Sequence, residues 1–353
     1  MRRLLIGTYT EPMPHVRGEA GGIHVADMAT DPVRLLAAGT IAGPRNPSYV
    51  TVSRDGRRLY CVQETFAGDD PRLFAFALDG ANGAAAELGS VSSRGGEPCH
   101  VSLDPKGRFV FVANYGTGSV AAFPLDGNGA IVDAPTMVRH QGSGPNPRQD
   151  GPRMHAVLPD EAGDHIVVCD LGTDTVAVYR LTDGGIDASQ PVSRLASAPG
   201  AGPRQLAFAP DGKHLFVVNE FAGTVDSFRY EAGVLDPVDH LALLPDDWQG
   251  ENLAAAIAIH PGGRFGYASN RGHDSVTVFA IEQSGRMKQL GWQRKGVAFP
   301  RDIAVDPDGR ILLVANQNQQ TIVAYAIDGA TGMPTPTGET ARFASPSCLV
   351  FLR

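Results

Sequence analysis

The sequence predicts an all-β fold, a seven-bladed β-propeller whose last blade is closed by strands from both the N- and the C-terminus, as a single domain over residues 1–353. Three observations support this prediction. The chain contains 42 glycines and 26 prolines in 353 residues, more turn-forming residues than an average protein has. One strand–turn–strand pattern recurs six times along the chain. The two ends of the chain supply the strands that a seventh copy needs.

The repeated unit is an alternating apolar strand, a turn that ends in glycine, and a second apolar strand, as in VSLDPKGRFVFVAN. The turn glycines, at intervals of 46 to 56 residues, are Gly56, Gly107, Gly163, Gly212, Gly263 and Gly309. The seventh residue after each glycine is an amide or an acid, and these are Gln63, Asn114, Asp170, Asn219, Asn270 and Asn316. A third alternating strand, such as GSVAAFPL, follows most of the hairpins. About four short strands per unit are typical of a propeller blade.

The seventh blade is expected to form from both ends of the chain. SPSCLVFLR at the C-terminus resembles the first strand of a unit, whereas LLIGTYT and GGIHVADM near the N-terminus resemble the second and third strands. Pairing these segments would remove the exposed strand edge that an open array of sheets leaves.

Composition excludes several classes of partner. With 30 basic and 38 acidic residues, a net charge of −8 and no long basic run, a nucleic-acid partner is not expected. Apolar runs are too short for a membrane span, and the one at the N-terminus is too short for a signal peptide, so the sequence predicts a cytoplasmic protein without a membrane partner. Whether it is a monomer or a homodimer stays open.

Cysteine spacing and the known catalytic motifs also narrow the choice. Cys61, Cys99, Cys169 and Cys348 lie far apart without a CxxC pair, so we expect buried thiols rather than disulfides. The sequence contains no GxSxG, HExxH or phosphate-binding P-loop motif, so it supports neither a serine hydrolase of that class nor a zinc enzyme nor a nucleotidase. We expect no metal site and no cofactor.

Candidate functional positions follow from counting along each hairpin. Antiparallel pairing is expected to bring residues equally far from the turn glycine side by side, and first strands are expected to line a central channel. The residues eight positions before the glycines are Ser48, Cys99, His155, Arg204, Ala255 and Arg301. Those eight positions after are Glu64, Tyr115, Leu171, Glu220, Arg271 and Gln317. The count therefore gathers a possible base, a second acid and several cations at one mouth, although strand-end arginines and histidines can also be purely structural.

Two further sets of residues border this register. His100 is one position later than Cys99, and the loop GPNPRQDGPRMH before His155 carries Gln149 and Asp150. Loops rich in proline, glycine and polar groups frequently border functional sites. We therefore predict substrate-binding roles for His100, Arg301, Gln149, Asp150, Glu64 and Gln317.

Several segments resemble a known family. GTYT, EPCHVSLDPKGRFVFVANYGTGSVAAF, RQDGPRMH, GPRQLAFAPDGKHLFVVNE and SNRGHDSVTVF are similar to the cytosolic lactonases with seven-bladed propellers, which include 6-phosphogluconolactonases, aldarolactonases and carboxy-muconate cyclases. The resemblance implies metal-independent lactone chemistry and places the family's active groups on His155, Arg204, Glu220 and Arg271. Arg153 departs from the family pattern, which has histidine there in many relatives.

On this resemblance, the expected function is hydrolysis of a sugar-acid 1,5-lactone, either 6-phosphogluconolactone-like or an aldarolactone. Glu220 or His155 would activate water, and Arg204 with Arg271 would stabilise the oxyanion. The expected partner is thus a small-molecule lactone. Two alternatives are a muconate-type cycloisomerase and a non-catalytic interaction scaffold, although Trp248 and Trp292 lie outside the counted register.

Overall fold

The structure is a computed structural model and describes residues 1–79 and 84–352. Every regular element in those two ranges is a β-strand. The strands near the N-terminus are β1 (Arg2–Thr8), β2 (Ile23–Thr30) and β3 (Val33–Ile41). They are followed by β4 (Val50–Val52), β5 (Arg58–Gln63), β6 (Arg72–Leu78), β7 (Ala85–Ser92), β8 (Pro98–Leu103), β9 (Phe109–Asn114), β10 (Ser119–Pro124) and β11 (Thr136–Arg139).

The middle of the chain forms β12 (Met154–Pro159), β13 (His165–Asp170), β14 (Thr175–Thr182), β15 (Gly185–Ile186), β16 (Ser193–Ala196), β17 (Pro203–Phe208), β18 (His214–Asn219), β19 (Thr224–Glu231) and β20 (Val234–Ala242). The remaining strands are β21 (Leu253–Ile259), β22 (Phe265–Arg271), β23 (Ser275–Ile281), β24 (Met287–Gln293), β25 (Pro300–Val305), β26 (Ile311–Asn316), β27 (Thr321–Ile327), β28 (Pro334–Arg342) and β29 (Pro346–Phe351).

These strands form seven sheets, which confirms the predicted all-β fold with seven blades. Blades 1 to 6 are, in chain order, β4–β7, β8–β11, β12–β16, β17–β20, β21–β24 and β25–β28. Blade 7 has the strand order β29–β1–β2–β3, so the last blade is closed by both ends of the chain as predicted. Blade 3 differs in that both β15 and β16 pair with β14.

The turn glycines found in the sequence have the backbone conformation that requires glycine. All six have φ between 66° and 72°, in the left-handed region that side chains with a Cβ adopt at a cost. Each glycine closes the hairpin between the first and second strands of its blade. The sequence pattern therefore marks the end of the blade opposite to the predicted functional residues.

The chain divides into two compact units. The first comprises Met1–Thr40, Gln205–Tyr230 and Asp236–Leu352, and the second comprises Ile41–Arg204 and Glu231–Leu235. Blades 5, 6 and 7 lie in the first unit, together with β18 and β19, whereas blades 1, 2 and 3 lie in the second. Within each unit, apolar side chains from successive sheets pack together, as Phe111 of blade 2 does in one cluster with Val168 of blade 3. This packing stabilises the sheets by burying apolar surface.

Candidate active site

A β-bulge interrupts the pairing of the first two strands in several blades. In blades 2, 3, 6 and 7 the bulge inserts one extra residue into the first strand near its start, and these residues are Cys99, His155, Arg301 and Ser347. Three of them are the residues counted eight positions before the turn glycine. Bulges bend a strand and redirect a side chain, and they are frequent beside active sites. The candidate residues thus lie where the regular ladder is broken.

The bulge corrects the register expected from the sequence. The residue eight positions after the turn glycine does not lie opposite the residue eight positions before it. It lies opposite the residue ten positions before the glycine. Leu171 N donates to Arg153 O at 2.9 Å, and Tyr115 N donates to Glu97 O at 3.0 Å. The equal-distance rule fails here by two positions. Pairs between the turn and the bulge are already one position off, because Ala156, seven before Gly163, lies opposite Cys169, six after it. The inserted residue shifts every pair beyond the bulge by one further position.

His155 is half-buried and lies at the bulge of blade 3. Its ring and that of Tyr115 are nearly perpendicular, with ring centroids 5.8 Å apart. The Arg153 guanidinium lies 5.3 Å from the centre of the same tyrosine ring and donates to Asp150 Oδ1 at 2.7 Å. That bond lowers the pKa of the exposed Asp150 carboxyl. Tyr115 therefore brings a histidine and an arginine together within the second unit.

His100 is buried and neutral. Its ring packs against Tyr49 with centroids 4.4 Å apart and the ring planes tilted by 35°, and Val157 N donates to its Nδ1 at 3.5 Å. Burial, assisted by the positive charge of Arg204, lowers the pKa of His100 to about 3. Arg204 itself is buried in β17. The second unit thus holds a neutral histidine within electrostatic reach of a buried cation.

Two carboxylates border this region. Glu64 is buried and accepts a hydrogen bond from Ser48 Oγ. Burial raises the pKa of Glu97, and the nearby Glu64 charge raises it further, whereas Arg153 opposes the shift. Glu97 has a left-handed backbone with φ of 50°. The sequence analysis missed Glu97 because it lies ten positions before the glycine, in a register that becomes apparent only when the bulge is known.

In the first unit, Glu220 and Arg271 form a buried ion pair. Arg271 Nη2 lies 3.0 Å from Glu220 Oε2, and the side chains are 6% and 11% exposed for the arginine and the glutamate. Arg271 also donates to the carbonyl oxygens of Leu253 and Ala254, at 3.2 and 3.3 Å. Its guanidinium lies 5.7 Å from the centre of the Phe299 ring. The counted register therefore brings this acid and this cation into direct contact.

Arg301 is held by a residue that the sequence count did not reach. Its Nη2 donates to Tyr9 Oη at 2.6 Å, and its guanidinium lies 5.3 Å from the centre of the same ring. Tyr9 follows β1 and occupies in blade 7 the place that Tyr115 has in blade 2. Blade 7 has its first two strands at opposite ends of the chain, so no turn glycine was there to count from. Gln317 is buried and donates to His15 O at 3.4 Å.

Gln149 makes several hydrogen bonds within the protein. It is fully buried, and its amide nitrogen donates to Leu171 O at 2.7 Å and to Asp174 Oδ1 at 2.6 Å. Its side-chain oxygen accepts from Asn146 N at 3.0 Å. In this structure the side chain braces its own loop, and the substrate contact predicted for Gln149 stays a prediction. Asp150 next to it is exposed.

Other predictions from the sequence can also be compared with the described residues. All four cysteines are buried thiols outside any disulfide, as predicted. Within residues 1–79 and 84–352, no cluster of three or more His, Cys, Asp or Glu side chains is arranged to hold a metal ion. Over the same residues, no helix is long and apolar enough to cross a membrane.

Comparison with known proteins gives a consistent result. A family model described as "Lactonase, 7-bladed beta-propeller" matches residues 3–351. The chain is 32% identical over 350 residues to the 6-phosphogluconolactonase of Bacillus subtilis, which covers 98% of this chain and 97% of the relative. It is 31% identical over 339 residues to the 6-phosphogluconolactonase of Formosa agariphila, with 93% of both chains covered. The solved structure of the periplasmic gluconolactonase of Pseudomonas aeruginosa has 31% identity and a TM-score of 0.91, covering 100% of this chain and 99% of that one.

Proposed function

Because the chain belongs to the family of seven-bladed β-propeller lactonases, we propose that it hydrolyses a sugar-acid 1,5-lactone to the open-chain acid. The relatives named as 6-phosphogluconolactonase and gluconolactonase support this substrate class. The observation that carries the proposal is the position of His155, a half-buried ionisable ring on a bulge, beside Tyr115 and Arg153. The cytoplasmic location stays a prediction of the sequence.

The reaction needs a base and a group that binds negative charge. Water attacks the lactone carbonyl carbon and gives up a proton to the base, and the carbonyl oxygen becomes an oxyanion. The ring C–O bond then breaks, and the ring oxygen takes up the proton from the base and leaves as a hydroxyl. The carboxylic acid that forms releases a second proton to the solvent and becomes a carboxylate. A preorganised cation stabilises the oxyanion best in a site from which water is excluded.

We assign the base to His155. An ordinary imidazole exchanges its proton near neutral pH, which suits general-base catalysis. Glu220, the other candidate, is buried in an ion pair with Arg271, and a neighbouring arginine reduces the tendency of a carboxylate to take up a proton. The buried ion pair therefore favours His155 over Glu220.

Arg204 is the proposed oxyanion binder of the second unit, since it is buried and carries a planar set of donors. His100, which is neutral, and Arg153 would contact the hydroxyl or anionic substituents of the lactone. The roles predicted for Arg271, Arg301, Glu64 and Gln317 stay predictions of the sequence.

Hydrolysis followed by pH-stat at near-neutral pH tests the proposal, with correction for spontaneous ring opening. The substrates are freshly made 6-phosphogluconolactone, gluconolactone and glucaro-1,5-lactone. We expect His155→Ala to lower kcat about 100-fold or more, the usual contribution of a general base. His214→Ala is the matched control, because His214 pairs with Asp211 in another blade.

The outcomes separate the alternatives. An unchanged kcat in His155→Ala, together with its loss in Glu220→Gln, would move the base to Glu220. Absence of turnover on all three lactones would reject the proposed function. Conversion of a muconate-type acid without uptake of water would then favour the cycloisomerase.

A further inference from the structure

A buried polar network lies directly beneath the segment that leads to His155. Asp170, the last residue of β13, is 0% exposed. Its Oδ2 lies 2.8 Å from His140 Nδ1, and His140 Nε2 lies 2.9 Å from Tyr179 Oη. A neutral His140 protonated on Nδ1 satisfies both contacts, because it donates to the carboxylate and accepts from the tyrosine hydroxyl. The three side chains thus form a continuous hydrogen-bonded chain that links His140, which follows β11 of blade 2, to Asp170 and Tyr179 of blade 3.

Asp170 is the acid at a position that other blades fill with an amide. It is the seventh residue after the turn glycine, where the equivalent residues include Gln63 and Asn316. The side-chain oxygen of Gln63 accepts from Arg45 N at 3.0 Å, and that of Asn316 accepts from Ala298 N at 3.0 Å. In these blades, therefore, this position fastens the segment that enters the first strand.

The carboxylate of Asp170 makes more of these bonds than an amide oxygen can. Its Oδ1 accepts from Arg153 N at 2.7 Å and from Gly172 N at 3.1 Å, and its Oδ2 accepts from Thr173 Oγ1 at 2.7 Å as well as from His140. Burial alone would raise the pKa of Asp170, but the bonds from His140, Thr173 and the Arg153 backbone outweigh it and lower the pKa. A buried charge is tolerated when it is hydrogen-bonded in this way.

We propose that Tyr179, His140 and Asp170 are positioning residues that hold Arg153 and His155 in their functional orientation. Asp170 fixes the backbone amide two residues before His155, and Met154 pairs with Asp170 in the strand ladder. The bulge at His155 begins immediately after this anchored pair. This inference rests on the proposed function, since it assigns the network to the presentation of the proposed base.

Blade 3 also contains a second buried histidine–aspartate pair, His165 with Asp160, which serves as a matched control. His165 begins β13 and Asp170 ends it, so the two pairs lie at opposite ends of one strand. His165 Nδ1 lies 3.0 Å from Asp160 Oδ2, and the Asp160 side chain also accepts from Asp164 N at 2.9 Å. This pair fastens the turn that contains Gly163, far along the strand from His155.

The test compares His140→Phe with His165→Phe in the full-length protein, by thermal melting and by lactone hydrolysis. We expect similar losses of Tm, because each variant leaves one buried aspartate without its histidine. His140→Phe should lower kcat/KM about 10- to 100-fold, mostly through kcat, since small misplacements of a catalytic group have effects of that size. His165→Phe should leave kcat/KM within about 2-fold of wild type.

Conservative variants keep the inference testable if His140→Phe does not fold. His140→Asn places an amide nitrogen near the position of Nδ1 and should recover most of kcat, whereas Tyr179→Phe should lower kcat by a smaller factor. Equal kinetic effects of His140→Phe and His165→Phe, or no recovery in His140→Asn, would overturn the inference. If His155→Ala keeps the wild-type kcat/KM, the assignment of the base to His155 fails instead, whatever the His140 variants do, and absence of turnover by the wild type on all three lactones rejects the proposed function.

Discussion

Blades 2 and 3 have the same backbone plan but different residues at its critical points. Both have a bulge near the start of the first strand, occupied by Cys99 in blade 2 and by His155 in blade 3. Cys99 is buried, and its thiol points to His155 O at 3.5 Å, whereas His155 is half-buried. The residue that ends the second strand is Asn114 in one blade and Asp170 in the other. The difference teaches that the repeat supplies a place for a redirected side chain, and that the residue in this place differs from blade to blade. The proposed function assigns chemistry to the residue in blade 3.

The strongest way to break this comparison is to exchange the bulge residue. His155→Cys puts the residue of blade 2 into blade 3, where the same bulge geometry should accept it. We expect the protein to remain folded but kcat/KM for the preferred lactone to fall about 100-fold or more, because the imidazole is lost. The measurement is lactone hydrolysis by pH-stat, with a thermal melt to establish folding. Wild-type kcat/KM in this variant would show that the two bulges are functionally equivalent.

The next prediction concerns the glycines that follow the second strands. Gly116 in blade 2 and Gly172 in blade 3 both lie nine positions after the turn glycine. A Cβ at Gly172 would collide with the backbone carbonyl oxygen of Gly151, which cannot rotate away. A Cβ at Gly116 would lie 2.5 Å from Glu97 Oε2, at the end of a flexible side chain, and 3.1 Å from the carbonyl group of Gly96.

Gly172→Ala should therefore lower the free energy of unfolding by about 3 kcal/mol, and Gly116→Ala by about 1 kcal/mol. Urea denaturation of the two variants beside wild type measures both values. An equal or larger loss in Gly116→Ala would show that blade 3 is not the more tightly packed of the two at this point.

The same comparison explains what the sequence could predict. The alternating strands, the turn glycines and the polar residue seven positions later repeat along the chain, so the seven blades and the closure of blade 7 follow from periodicity. Candidate residues such as His155, Glu220 and Arg271 follow from the same count. Periodicity does not reveal an inserted residue, because a bulge changes the pairing and leaves the spacing of the glycines unchanged.

Residues outside the repeat were harder to predict for a related reason. Gln149 lies in a polar loop that resembles the border of a site, yet its amide is used by Leu171 and Asp174. Glu97 and Tyr9 lie in the structure beside predicted residues, but neither stands at a counted position. Side-chain hydrogen bonds decide these cases, and they depend on tertiary contacts that spacing does not contain.

The smallest effect is expected at His100, which follows the bulge of blade 2. Burial lowers the pKa of His100 to about 3 in the folded protein, whereas an unfolded histidine titrates near 6.5. Between these two pH values the unfolded chain binds a proton at His100 that the folded protein does not bind. The contribution of the neutral His100 to the free energy of unfolding is therefore fully present above about pH 6.5 and is lost as the pH falls. His100→Gln should reduce the slope of the free energy of unfolding against pH by up to about 1.4 kcal/mol per pH unit.

Urea denaturation between pH 7 and pH 4.5 measures this slope for wild type and for His100→Gln. His155→Gln, which replaces a half-buried ring, is the control. The same slope in His100→Gln as in wild type would mean that His100 is protonated in the folded protein, and the contrast between a neutral histidine in blade 2 and the proposed base in blade 3 would disappear.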